Sequence, residues 1–262
     1  MNPIIPEDIT LIKQGKSIYS GTLLLADISG FTELTDKLAL HGKKGTEDLT
    51  DILNRYFTVM YEILRVHGGI VISMAGDSIL ARFPSGKKPD ACATRMMEEM
   101  NQFENLVTNS GRCKLSIKIV LGYGSWSEFI VGNSDSARVF LTGDIIEKIA
   151  SAEDKALKGE IHAVRSDSDA ELTGYRVPDL PDSSFFVHGT DNLQGEHRSI
   201  AAVFINFEGY DKKVPPHQQI QKLYLGVSEI ARKHSGIIQM VDNILVGEAG
   251  FSCYSELLSH ME

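Results

Sequence analysis

Residues 22–28, Thr-Leu-Leu-Leu-Ala-Asp-Ile, form an apolar run of strand length that ends against an acid and a Ser-Gly break. A run that is apolar at successive rather than alternate positions buries both faces, so this strand belongs inside a sheet. Asp27 is then a carboxylate at the end of a buried strand, which is costly unless something neutralises it. A second acid, Asp77, lies in Gly-Gly-Ile-Val-Ile-Ser-Met-Ala-Gly-Asp-Ser-Ile-Leu, in a short turn between two apolar runs that read as a hairpin. The two acids converge only if their strands are neighbours. A converging pair suits Mg²⁺, which takes one or two carboxylates and leaves its other positions to water and phosphate oxygens. The pattern reads as a two-metal phosphoryl-transfer site.

The remaining periodicity sets these strands in an α+β frame. Helical spacing covers 31–40 and 46–66, where Leu49, Ile52, Leu53, Tyr56, Phe57, Met60, Ile63 and Leu64 share one face. Gly68 and Gly69 end that helix. The spacing predicts strands over 70–74 and 78–83, a helix over 89–107 and an alternating strand over 114–123. A hairpin follows over 127–131 and 138–141, then a helix from Gly143 to about Ala150, with weaker strand signals near 160–164, 172–177 and 184–188. Strand, helices, hairpin, helix, strand, hairpin is the order of a mainly antiparallel sheet with helices covering one face.

The pattern then restarts. Residues 200–207 echo 23–31, and 223–240 echo 56–74, with Asn206 at the position of Asp27 and Gly236 at that of Gly69. Recurrence of strand, helix and Gly-led strand in one order indicates a tandem copy. The division expected is an arm over 1–19, a first domain over 20–190, a linker over 191–198 and an incomplete second copy over 199–262, its strand at 200–206 laid beside 237–241. Composition narrows the partners. The net charge is −9 and no Lys/Arg block stands out, which argues against nucleic-acid or anionic-membrane binding. The three cysteines share no metal-ligand spacing, the N-terminus lacks a signal-peptide core, and no stretch of about 18 apolar residues could span a bilayer. A soluble, cytoplasmic chain without a transmembrane segment is expected.

Ala-Asp-Ile-Ser-Gly-Phe-Thr, the Gly-Gly…Ala-Gly-Asp hairpin and the later Val-Gly-Asn…Leu-Thr-Gly-Asp segment together resemble the class III nucleotidyl cyclases, and the tandem arrangement looks most like the soluble adenylyl cyclase branch. The resemblance implies a ferredoxin-like cyclase catalytic domain followed by the start of a second. It implies two Mg²⁺ (or Mn²⁺) ions held by Asp27, Asp77 and the backbone carbonyl of Ile28. Ser29, Gly30, Phe31, Thr32 and Gly76 would meet the triphosphate of ATP. A second cyclase domain, in cis or in trans, would complete the site. The implied reaction is attack of the ribose 3′-oxygen on the α-phosphorus, giving cyclic AMP and pyrophosphate. Elementary chemistry agrees. Gly30 and Phe31 ahead of a helix let backbone N–H groups approach phosphate oxygens, and Gly76 permits the tight turn that aims Asp77.

The sequence also departs from that pattern. The position of the family's adenine-reading Lys holds Ser73, and Met240 in the second copy. The Asn and Arg expected after the later glycine are Glu147 and Ser151. The positions matching the branch's bicarbonate-responsive basic residues are Ser73 and Ala150. This first copy therefore reads as a metal-donating half. The alternative is a cyclase-homology module that binds a nucleotide or a partner without turnover. The plainest reading takes Asp27 as a helix-capping acid and Asp77 as a hairpin acid.

Overall fold

The computed structural model describes residues 18–75, 77–103, 106–108, 111–133, 136–166, 200–205, 216–234, 236–240 and 255–260. The apolar run lies within β1 (Ile18–Ser29). It is followed by helices α1 (Phe31–Ala39) and α2 (Gly42–Val66), then by strands β2 (Ile70–Ala75) and β3 (Ser78–Pro84). Helix α3 (Pro89–Glu99) has Pro in its first turn, where no N–H is needed, and runs into a 3₁₀ turn at Met100–Phe103. The expected helix over 89–107 is therefore shorter. The β-branched pair Val107-Thr108 instead falls in the small strand β4 (Leu106–Thr108), paired with β5 (Gly111–Cys113).

Two separately expected strands, 114–123 and 127–131, are one strand, β6 (Ser116–Asn133), which turns back into β7 (Ser136–Thr142). Helix α4 (Asp144–Glu153) follows, and β8 (Ile161–Arg165) runs parallel to β6. The sheet order is β2-β3-β1-β6-β7, with β8 also on β6 and every other pairing antiparallel. β1 is central, as a strand apolar on both faces must be.

The faces are covered from both sides, which corrects the expectation of helices on one. Leu24, Ala26, Ile79, Ala81, Ile117 and Ile119 pack with Tyr56, Met60 and Leu64 of α2 and with Met96 of α3. The alternate residues Leu23, Leu25, Leu80 and Val120 pack with Ile145, Ile146 and Ile149 of α4. Period-two alternation in β1 sends half of its apolar residues to each layer, so each layer requires its own cover. Close approach is built in at Gly122, where a Cβ would lie 2.4 Å from the Ile149 side chain.

Beyond residue 199 lie β9 (Ile200–Ile205), α5 (Pro216–Lys233), β10 (Gly236–Met240) and β11 (Ser255–His260). Their sheet order is β10-β11-β9. The expected neighbours β9 and β10 are thus separated by β11, just as β3 separates β1 from β2. The order of the second sheet repeats that of the first at this edge. Helix α5 lies on β6, where the Gln221 side chain bonds both the N–H and the carbonyl of Gly132, at 2.7 and 2.9 Å. The strands expected near 172–177 and 184–188, the linker, Gly76 and Asn206 lie outside the described residues.

Candidate active site

Register brings the two acids together. Asp27 faces Ser78 of β3 on one side and Lys118 of β6 on the other. The β2–β3 hairpin closes at Ala75 opposite Ser78, which puts Asp77 in the turn. The Ile28 N–H then donates to the Asp77 backbone carbonyl at 3.3 Å, carrying the β1–β3 ladder one step into that turn. Asp77 is therefore a ladder neighbour of Ile28 and adjoins Asp27. The hairpin, formed locally, delivers an acid to the end of a strand formed far away in sequence.

Both carboxyls sit where ionisation is opposed. Asp27 is pushed up to about 6, first by burial and next by the charge of Asp77, with Lys118 acting in the opposite direction. Asp77 is also raised, chiefly by burial, against the pull of its own backbone hydrogen bond and of Lys118. The Tyr56 ring is fully buried, its hydroxyl has no hydrogen-bond partner among the described residues, and burial together with both aspartates raises its pKa. Two hard oxygen donors whose charges oppose each other are a donor set that fits Mg²⁺ or Mn²⁺. Among the described residues no group of three His, Cys, Asp or Glu side chains forms a fuller metal cage.

The neighbouring helix start completes this end of the sheet. Gly30, at φ 92°, is the N-cap of α1, and no side chain among the described residues caps that terminus. A Cβ there would be strained by the backbone angle and would lie 3.1 Å from the Lys114 carbonyl oxygen. Ser29 ends β1 opposite Ser116, and Phe31 and Thr32 open the helix with first-turn N–H groups that have no intrahelical acceptor. Ser73, at the position where the resemblance expects a base-reading Lys, lies on β2 at a register shift after Val71. Glu147 and Ser151 lie on α4.

Two charged residues at this site escaped the sequence reading. Lys118 places its Nζ 3.6 Å from Asp27 Oδ2. It also pairs with the Glu153 carboxylate and donates to the Glu153 backbone carbonyl at 3.3 Å. Burial works against the Lys118 charge, but the Glu153 and Asp27 carboxylates outweigh it and raise its pKa. The available signal was a lone cation on the apolar alternation of Ser-Ile-Lys-Ile-Val, a pattern read only as a strand. Far from this site, a second buried ion pair joins Arg82 to Glu128, whose other oxygen accepts Trp126 Nε1–H at 2.9 Å. The Arg82 guanidinium lies over the Tyr19 ring at 4.4 Å.

No family model matches the chain. In sequence it is similar to adenylate cyclase type 10 of Oryctolagus cuniculus, with 25% identity over 177 residues, covering 60% of this chain and 10% of that protein. The Homo sapiens protein of the same name is 25% identical over 162 residues, covering 55% of this chain and 9% of its own length. The chain thus spans about a tenth of the length of these curated relatives. Among solved structures, a bacterial light-regulated adenylyl cyclase is 25% identical at a TM-score of 0.46, over 58% of this chain and 46% of that one. The chain is similar to the class III nucleotidyl cyclases, and the likeness rests on sequence.

Proposed function

We propose that this chain supplies the metal-binding half of a nucleotidyl cyclase that converts ATP to cyclic AMP and pyrophosphate. The observation that carries the reading is the Asp27–Asp77 pair, two acids held at one strand end, where burial disfavours the charge of both and Asp77 further disfavours that of Asp27. Such an arrangement is stable with a divalent cation between the acids and is unfavourable without one. When bound, two Mg²⁺ or Mn²⁺ ions would supply Lewis-acid stabilisation of the triphosphate and lower the pKa of the attacking hydroxyl. Asp27, Asp77 and the Ile28 carbonyl are the residues that would hold them.

The rest of the half-site is binding and orientation. The uncapped start of α1, from Ser29 through Gly30 and Phe31 to Thr32, offers backbone N–H groups to phosphate oxygens. Gly76 belongs to the same phosphate-facing set in this reading. The ribose 3′-oxygen attacks the α-phosphorus, the bond from that phosphorus to the β-phosphate bridge oxygen breaks, and the hydroxyl proton leaves to solvent. The Asn and Arg that would stabilise charge on the transferring group come from a partner domain, because Glu147 and Ser151 occupy those positions here. Residues 199–262, whose described strands take the order β10-β11-β9 as the first sheet takes β2-β3-β1, belong in this reading to such a partner in cis, which supports a division into 20–190 and 199–262. A cytoplasmic setting suits this reading: ATP is available there, and no helix among the described residues is long and apolar enough to cross a membrane.

The test mixes this chain with a second cyclase domain that carries the Asn–Arg pair and measures cyclic AMP and cyclic GMP formed with Mg²⁺ or Mn²⁺. Cyclic AMP synthesis well above that of either component is expected, and Asp27→Ala or Asp77→Ala abolishes it while the fold survives. Losing even one such preorganised donor costs about 10²–10³ in rate, so the chain alone should turn over very slowly. Nucleotide binding without synthesis in the mixture would favour the non-catalytic module, for which Glu147 and Ser151 on α4 already speak.

A further inference from the structure

We infer that Lys118, positioned by Glu153, is a built-in competitor for the divalent cation at Asp27. The inference rests on reading Asp27 and Asp77 as the metal pair. Lys118 is the cross-strand partner of Asp27, so both side chains rise from the same face of the sheet. Its Nζ stands 3.6 Å from Asp27 Oδ2, and on its other side it is held by the carboxylate and the backbone carbonyl of Glu153, the last residue of α4. Lys118, Asp27 and Glu153 are all largely buried, with side chains 19, 22 and 26% exposed, so solvent screens these charges little.

An ammonium has donors only and cannot itself serve as a metal ligand. Near Asp27 it therefore does two things to an incoming cation. It occupies the carboxylate oxygen that the metal needs, and it repels the metal's charge. Glu153 is the alternative partner that lets the ammonium withdraw without losing its counter-charge. The two carboxylates thus share one cation in the metal-free site, and metal entry moves Lys118 wholly onto Glu153. Asp27 is kept from standing bare, and a monovalent ion gains little by displacing a lysine of equal charge.

The experiment titrates the full chain with Mn²⁺ in the absence of nucleotide and reads free Mn²⁺ by electron paramagnetic resonance. Saturable binding that Asp27→Asn removes is expected of the wild type. Its absence would sink the metal reading itself, separately from the role of Lys118. Given that binding, Lys118→Met should tighten Mn²⁺ by about five- to ten-fold, the lower range of couplings between neighbouring sites. Glu153→Gln should weaken it, because Lys118 is then left to Asp27 alone. The double variant Lys118→Met/Glu153→Gln should bind as Lys118→Met does, since the glutamate acts through the lysine. Unchanged or weaker binding in Lys118→Met overturns the proposal. So does a Glu153→Gln effect that persists in full in the double variant, because the glutamate would then act by its own charge. Should Lys118→Met fail to fold, Lys118→Gln and the single Glu153→Gln variant carry the same opposed signs.

Discussion

At Asp27 the fold keeps a carboxylate where burial and a neighbouring acid both oppose its ionisation. Its native pKa, about 6, stands above the 3.8 of an unperturbed aspartate. Between those values the native state binds more protons than the unfolded chain, so this group's contribution is favourable at low pH and is lost as pH rises through about 6. Asp77, also raised, acts with the same sign. Urea unfolding of chelated protein should therefore show Asp27→Asn more stable than wild type at neutral pH, with the advantage shrinking as pH falls toward 4. An advantage that did not depend on pH would show that charge at Asp27 is not its source. The cost to function is the reverse: divalent-cation binding should weaken as pH drops through the same window. Tyr56 gives a second residue-scale expectation. Its buried hydroxyl has no partner among the described residues, so Tyr56→Phe should be neutral or stabilising by up to about 1 kcal/mol in the same assay. A loss above about 2 kcal/mol would mean that the hydroxyl is satisfied after all.

Among the elements, helix and sheet contacts are set by a few positions with no room for a side chain. Gly45, in the first turn of α2, lies against the end of α1, and a Cβ there would fall 1.8 Å from the Leu38 carbonyl oxygen. That atom is backbone and cannot rotate aside. Gly45→Ala should destabilise the chain by about 1–3 kcal/mol or more, and because α1 carries the candidate phosphate-facing turn, nucleotide binding should fall with it. A thermal melt combined with a fluorescent-nucleotide titration checks both. Arg82 and Glu128 tie β3 to β6 through a pair that is fully buried. Glu128→Ala strands the guanidinium and should cost roughly 3–5 kcal/mol, whereas replacing both partners with apolar residues should cost much less. Equal losses in the single and double variants would refute the stranded-charge account.

Across the whole molecule, one long strand links the parts. β6 pairs with Asp27's strand near residue 118, carries Glu128 just past the end of that pairing and receives α5 near Gly132. Gln221 reaches both backbone polar groups of Gly132 and so docks α5 on β6. Gln221→Ala should lower hydrogen-exchange protection over 216–233 while leaving that of β1 and β3 unchanged, because the core between them is built without α5. A uniform loss of protection would instead show that both parts unfold as one unit.

The sequence by itself indicated most of the elements around β1 and singled out the two acids, Asp27 and Asp77, that the β1–β3 ladder brings next to each other. The unbroken apolar run with its terminal acid, the Gly-flanked hairpin and the restart near residue 200 are local patterns, and periods of two and 3.6 encode local structure directly. The strand order of the second sheet was not legible: 200–206 is expected beside 237–241, and β11 stands between β9 and β10. Tertiary structure alone decided adjacency. Nothing in the order of residues fixes Lys118 opposite Asp27, Glu153 beyond it, or α4 on the face away from α2. Each of those follows from which strands pair and in what register, and pairing is set by burial across the whole sheet rather than by any residue's neighbours in the chain.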